Sequence, residues 1–169
     1  MPLFRESGIV EDPWQKLGED APVPADGMVL VSLARWREAR AALLARRGPV
    51  GVALANTDAV EGLASDVSRL DLIALHFPKF SDGRAYSQAR LLRGRLGYAG
   101  ELRATGNVLQ DQALFMLRCG FDAFESEQKG FCEALARARA LFSVVYQPAE
   151  DSRTPASFLR LGRQKATVS

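Results

Sequence analysis

From residue 28 onward, short apolar runs alternate with stretches of helical period, and this alternation leaves the chain few folds to choose from. The runs cover residues 28–31, 50–55, 72–75, 101–104, 121–124 and 141–146. Between them, apolar side chains recur at helical spacing: Trp36, Ala39, Leu43 and Leu44, then Val60, Leu63, Ala64 and Val67, then Ala85, Ala89, Leu92 and Leu96. Leu109, Ala113, Met116 and Leu117 continue the series, and Phe131, Ala134, Leu135 and Ala138 end it. Ser32, Asn56 or Thr57, Ser81 or Asp82, Asn107 and Ser126 stand where helices would begin. Gly48 with Pro49, Gly97 and Gly120 stand where they would stop. Repeated strand–helix units predict an α/β domain with a mostly parallel sheet of about six strands and right-handed crossovers.

With 169 residues, the chain has the size of one domain and is too short for an eight-unit barrel of about 250 residues. An open doubly wound sheet fits the length best, and a partial barrel with strands in sequential order is the second choice. Residues 1–26 are polar, carry Pro13, Pro22 and Pro24, and read as an arm or short β-hairpin. Residues 27–147 form the expected α/β domain, and residues 148–169 a polar C-terminal tail.

Hydrophobic residues make up 47% and charged residues 25% of the chain, so a core can form without disulfides or metals. A net charge of +2 points to neither nucleic acid nor an anionic membrane as partner. Cys119 and Cys132 fit no redox or zinc spacing, and a single histidine excludes a multi-histidine metal centre. The N-terminal residues show no signal pattern and no apolar run is long enough to span a bilayer, so the cytoplasm is the expected location. Ser32, Leu33, Ala34 and Arg35 follow the first run where a dinucleotide-binding glycine turn would stand, and no Walker A loop occurs. No cofactor is expected.

Ligands of parallel α/β sheets bind beyond the carboxyl ends of the strands. The segment after the third run is the densest there: residues 76–84 hold His76, Lys79, Ser81, Asp82, Gly83 and Arg84. Lys79 and Arg84 would supply charge to an oxyanion and the amides around Ser81–Gly83 would supply donors. Ser87, Arg90 and Arg93 continue the polar, basic character into the next helix. Equally, Asp82 is a plain helix cap and the arginines a solvated face. His76 is the best proton-transfer candidate, because imidazoles titrate near neutrality. After the fourth run come Gly106, Asn107 and Asp111, with Arg103 just before them, its side chain directed to the sheet end or into a helix layer. Asn107 reads first as an N-cap. No nucleophile–base–orienter triad assembles from these residues.

Residues 75–125 carry three motifs: F-P-K-F-x-D-G-R-x-x-S-x-A-R-x-L-R, G-E-L-R-A-x-G-x-V-x-x-D-Q and R-C-G-F-D-x-F. With the I-V-E-D-P-W of the N-terminal segment, they resemble a conserved bacterial family, a domain of unknown function commonly encoded beside sulfite reductase. The motif positions here are Phe77, Pro78, Lys79, Phe80, Asp82, Gly83, Arg84, Ser87, Arg90, Arg93, Arg103, Gly106, Asp111 and Gln112. The resemblance implies an accessory protein of assimilatory sulfate and sulfite reduction. Its partner would be sulfite reductase, another enzyme of sulfur assimilation, or an anionic small molecule. The alternative is a small enzyme acting on a phosphorylated or carboxylated metabolite with His76 as acid or base. A docking adaptor for electron transfer is a third reading, and a homodimer through an open sheet edge is a further option.

Overall fold

The computed structural model describes residues 1–5 and 7–140. The expected strand at 141–146 and the tail from 148 lie outside the described residues. Eight strands form one sheet: β1 (Leu3–Arg5), β2 (Gly8–Val10), β3 (Trp14–Lys16), β4 (Met28–Ser32), β5 (Val50–Leu54), β6 (Leu72–Phe77), β7 (Glu101–Gly106) and β8 (Ala123–Glu125). Their order is β2-β1-β8-β7-β6-β5-β4-β3. Every pair from β3 through β8 is parallel, while β1 runs antiparallel to β8 and β2 antiparallel to β1. Among the described residues there are four α-helices: α1 (Leu33–Ala45), α2 (Arg84–Arg90), α3 (Ala113–Arg118) and α4 (Phe131–Ala140).

The mixed α/β architecture and the mostly parallel sheet are as the sequence predicts; of the two expected windings the second, a partial barrel with strands in sequential order, is the one observed, and the strand count exceeds the expected six. The added strands are three-residue pieces between Leu3 and Lys16, too short to show a period: β1 and β2 pair as the hairpin offered for this segment, and β3 is a further strand. Strand order never reverses between β4 and β8, so the sheet is not doubly wound. Right-handed crossovers that always step the same way put every helix on one face. The core shows this: Val29, Val31, Val50, Val52, Leu54, Ile73, Leu75, Phe77, Leu102, Ala104 and Phe124 pack with Trp36, Leu43, Ala89, Met116 and Phe131 in one cluster. The opposite face curls inward around Trp14, Leu30, Leu72 and Ala74. Gly51 permits the curl, since a Cβ there would lie 2.9 Å from that of Leu72. The result is a half-barrel, tight enough for Lys16 on β3 to reach Glu125 on β8 at 3.1 Å.

The connections depart from expectation in identifiable places. Ser32 caps α1 as predicted, accepting a hydrogen bond from the Arg35 amide at 3.0 Å. The apolar residues Val60, Leu63 and Val67 are buried, but on 3-10 turns Val60–Leu63 and Val67–Arg69, not on an α-helix. Three buried contacts at helical spacing fit either shape when the span is this short. Asn107 caps no helix: α3 follows a 3-10 turn, Gln110–Gln112, and its N-cap residue is Gln112. The last helix buries Phe131, Ala134, Leu135 and Ala138, the four residues its period selects.

Candidate functional site

Strand β6 runs two residues further than its apolar run suggests, so His76 belongs to the strand and not to the loop. Its alternation puts Leu72, Ala74 and His76 on the curled inner face and Ile73, Leu75 and Phe77 against the helices. The β6–β7 register pairs His76 with Thr105 and Phe77 with Gly106. His76 Nδ1 lies 3.4 Å from Thr105 Oγ1. Continuing the β7–β8 register by one residue brings Glu125 level with Thr105. Three adjacent strands thus carry His76, Thr105 and Glu125 in a row at the mouth of the half-barrel. Gly106 makes the row fit: its φ is +85°, and a Cβ would stand 2.6 Å from His76 Cε1.

The loops that follow are laced together. The Asn107 amide donates to Phe77 O at 2.8 Å, and the Gln112 side chain donates to Phe80 O at 3.0 Å. Asn56, after β5, donates to Asp82 at 2.6 Å. Gln88 on α2 donates to both Ala55 O and Asp58 O at 2.8 Å. Residues 76–84 and 105–111 therefore share one rim, at the carboxyl ends of β5, β6 and β7. Lys79, Ser81, Gly83, Arg84, Ser87 and Arg90 are exposed there, as are Asn107 and Asp111. Asp82 accepts from Arg84 Nε at 3.0 Å and Nη2 at 2.6 Å. The Arg84 guanidinium, with Asn56 helping, lowers the Asp82 carboxyl to about 2.

Some amides of this loop are already engaged within it. The Asp82 amide donates to Lys79 O at 3.1 Å, and the Arg84 amide donates to Asp82 Oδ1 at 3.2 Å. What the rim offers outward is side-chain chemistry: the Lys79 ammonium, part of the Arg84 guanidinium, the Ser81 and Ser87 hydroxyls, and His76. Asp111 opens onto a second feature, a groove of about 340 Å³ also lined by Gln110, Leu114, Ala134, Arg137 and Ala138.

Two expected arginines are used internally. Arg93 turns inward, donating to the carbonyls of Gly120 (3.0 Å), Tyr98 (2.6 Å) and Gly100 (2.9 Å) and pairing with Asp122. Gly120, at φ +94°, leaves room for its Cγ. Arg103 points neither to the sheet end nor into the helix layer, but into the half-barrel, where it is 0% exposed. It pairs with Asp12 at 2.8 Å, Glu101 at 2.8 Å and Glu125 at 3.2 Å. Arg5 pairs with Glu101 and Lys16 with Glu125, so three cations and three carboxylates fill one side of the interior. Burial alone would lower the Arg103 pKa, but the hydrogen bond it donates to Asp12 and the charge of Glu101 outweigh it and raise it. Asp12, Lys16 and Glu101 escape a search confined to strand ends. The signal for them is the alternation Glu101, Arg103, Thr105 against Leu102, Ala104, which marks a strand with one polar face.

Fold and site together define a singly wound α/β half-barrel with an ion-paired interior and a polar, histidine-bearing mouth. The chain belongs to the family of bacterial proteins of unknown function designated DUF934, whose model matches residues 51–157 and so spans the whole rim from β5 onward. Neither the curated proteins nor the solved structures contain a match to this chain. Among the described residues, no helix is long and apolar enough to cross a membrane.

Proposed function

We propose that this protein is an accessory component of assimilatory sulfate and sulfite reduction, holding the reductase or a sulfur oxyanion at the rim of the half-barrel. The observation that carries the reading is the lacing of the β6 and β7 loops by Asn107 and Gln112. It gathers Lys79, Arg84 and the Thr105–Gly106 turn into one exposed surface on a rigid support. Site residues held by a scaffold bind with less ordering cost than residues on a loose loop. Guanidinium and ammonium groups suit the oxyanions of sulfur, and arginine suits planar or bidentate contacts with them. The motif residues of the family, Lys79 through Arg84 and Gly106, occupy this same surface.

Isothermal calorimetry with sulfite and sulfate, beside a binding assay with purified sulfite reductase, tests the reading. Binding to any of these, weakened at least tenfold in Lys79→Ala/Arg84→Ala, is expected. Folded protein that binds none of them overturns it.

A second reading is favoured by a specific contact, the approach of His76 Nδ1 to Thr105 Oγ1 with Glu125 on the next strand. Such a row fits a proton-transferring enzyme acting on a phosphorylated or carboxylated metabolite, with His76 as acid or base and Lys79 with Arg84 holding the anion. Turnover that survives His76→Ala removes this alternative.

A further inference from the structure

Large apolar side chains with more than half their surface exposed are few among the described residues, and two of them lie together. Phe80 is 62% exposed and Phe115 55%. Phe80 sits in the β6–α2 loop, whose carbonyl is held by Gln112, one turn before Phe115. Phe115 stacks edge-on against Tyr86 of α2 at 4.6 Å between ring centres, and Tyr86 stacks against buried Phe77 at 5.0 Å. The rings form a column rooted in the core and open at its outer end. Rigid, partly exposed aromatics of this kind present contact area at little conformational cost.

The charge around the column has one dominant sign. Residues 83–100 carry Arg84, Arg90, Arg93 and Arg95 and no carboxylate. Arg93 is engaged internally, but Arg90 stands exposed one turn beyond Tyr86, and Lys79 precedes Phe80. Of the carboxylates nearby, Asp82 is matched by Arg84. Asp111 is the one whose charge acts on Tyr86, adding to the burial that raises the Tyr86 hydroxyl to about 12. An aromatic centre with a basic margin is the composition of a protein-docking hot spot, and it complements an apolar patch ringed by carboxylates.

We infer that the outer end of this column, Tyr86 and Phe115, together with exposed Phe80 on the adjoining loop and with Lys79 and Arg90 at the margin, is the surface on which an acidic protein partner docks. The inference deepens the accessory role proposed above and rests on it, taking the reductase as that partner. Charge at the margin speeds encounter and makes affinity fall with salt, while the two exposed phenylalanines supply the holding contact.

The test measures binding of the full chain to purified sulfite reductase by surface plasmon resonance at low and high salt. Phe80→Ala/Phe115→Ala should weaken binding at least tenfold, mainly through faster dissociation. Arg90→Glu should slow association and flatten the salt dependence. Ile9→Ala, which trims an apolar side chain 67% exposed on the outer edge strand β2, should change nothing. Circular dichroism confirms that each variant is folded. Wild-type binding that survives Phe80→Ala/Phe115→Ala overturns this docking surface and leaves the accessory role standing. No wild-type binding overturns the partner reading and the surface together. Sedimentation with phosphatidylcholine–phosphatidylserine vesicles, lost in the double phenylalanine variant, overturns the protein partner in favour of a lipid surface.

Discussion

One group of charges lies inside the half-barrel and another on its rim, and they answer to different physics. Inside the half-barrel, Arg103 is wholly buried among Asp12, Glu101 and Glu125. At the rim, Arg84 meets Asp82 with more than half of its side chain in water. The first group has paid desolvation and recovers it only because three carboxylates converge on one guanidinium. The second is screened, and its pair contributes little to stability. Charge type and spacing alone do not separate a structural arginine from one that meets a ligand. The face of the strand on which it stands does.

The sharpest way to break that contrast is Arg103→Met. It leaves Asp12 without its cation, and Glu101 and Glu125 with only Arg5 and Lys16, and should cost about 3–5 kcal/mol in urea unfolding. A loss below about 1 kcal/mol would mean that the interior charges are hydrated and resemble those at the rim. Gly106→Ala should come next, at about 1–3 kcal/mol, because it forces a side chain into positive φ and against His76. The same variant should shift the His76 ring resonances, which a purely backbone effect would not do. Arg84→Ala belongs at the other end of the scale. It should leave the unfolding midpoint unchanged while the Asp82 carboxyl climbs from about 2 toward the ordinary carboxylate range, as carboxyl-detected NMR titration would show. The pH dependence has a definite sign. Asp82 is more acidic folded than unfolded, so its small contribution is present above about pH 4 and fades as pH falls toward 2. A rim pair whose removal unfolds the protein would erase the distinction.

Much of this architecture is legible in the residues. The apolar runs at residues 50–55 and 72–75 fix the central strands, and Ser32 and the period of α4 fix two helices. The sharing of one rim by residues 76–84 and 105–111 follows from consecutive parallel strands. Winding is another matter. Doubly wound and singly wound sheets use the same local units, and only the direction of each step distinguishes them. The three-residue strands of the N-terminal segment carry no period at all, so their places at both ends of the sheet are set by tertiary partners. Trp14 is buried with Leu30 and Leu72, and Phe4 against Phe131 at 5.1 Å between ring centres. Arg103 is legible only in part. Its position in β7 is plain, but its inward direction depends on a curvature that no single strand encodes.

That curvature also sets the order of events as the chain is made. Residues Leu3 to Lys16 leave the ribosome long before their neighbours on β8: Leu3 pairs with Glu125, and Lys16 meets the same residue across 109 positions. Loop-closure entropy must be met before such contacts reward it, and proteins rich in them fold slowly. The first strands of a nascent chain therefore wait beside a growing sheet whose far edge does not yet exist. The ionic clasp between β3 and β8 snaps shut only after nearly the whole domain has been translated.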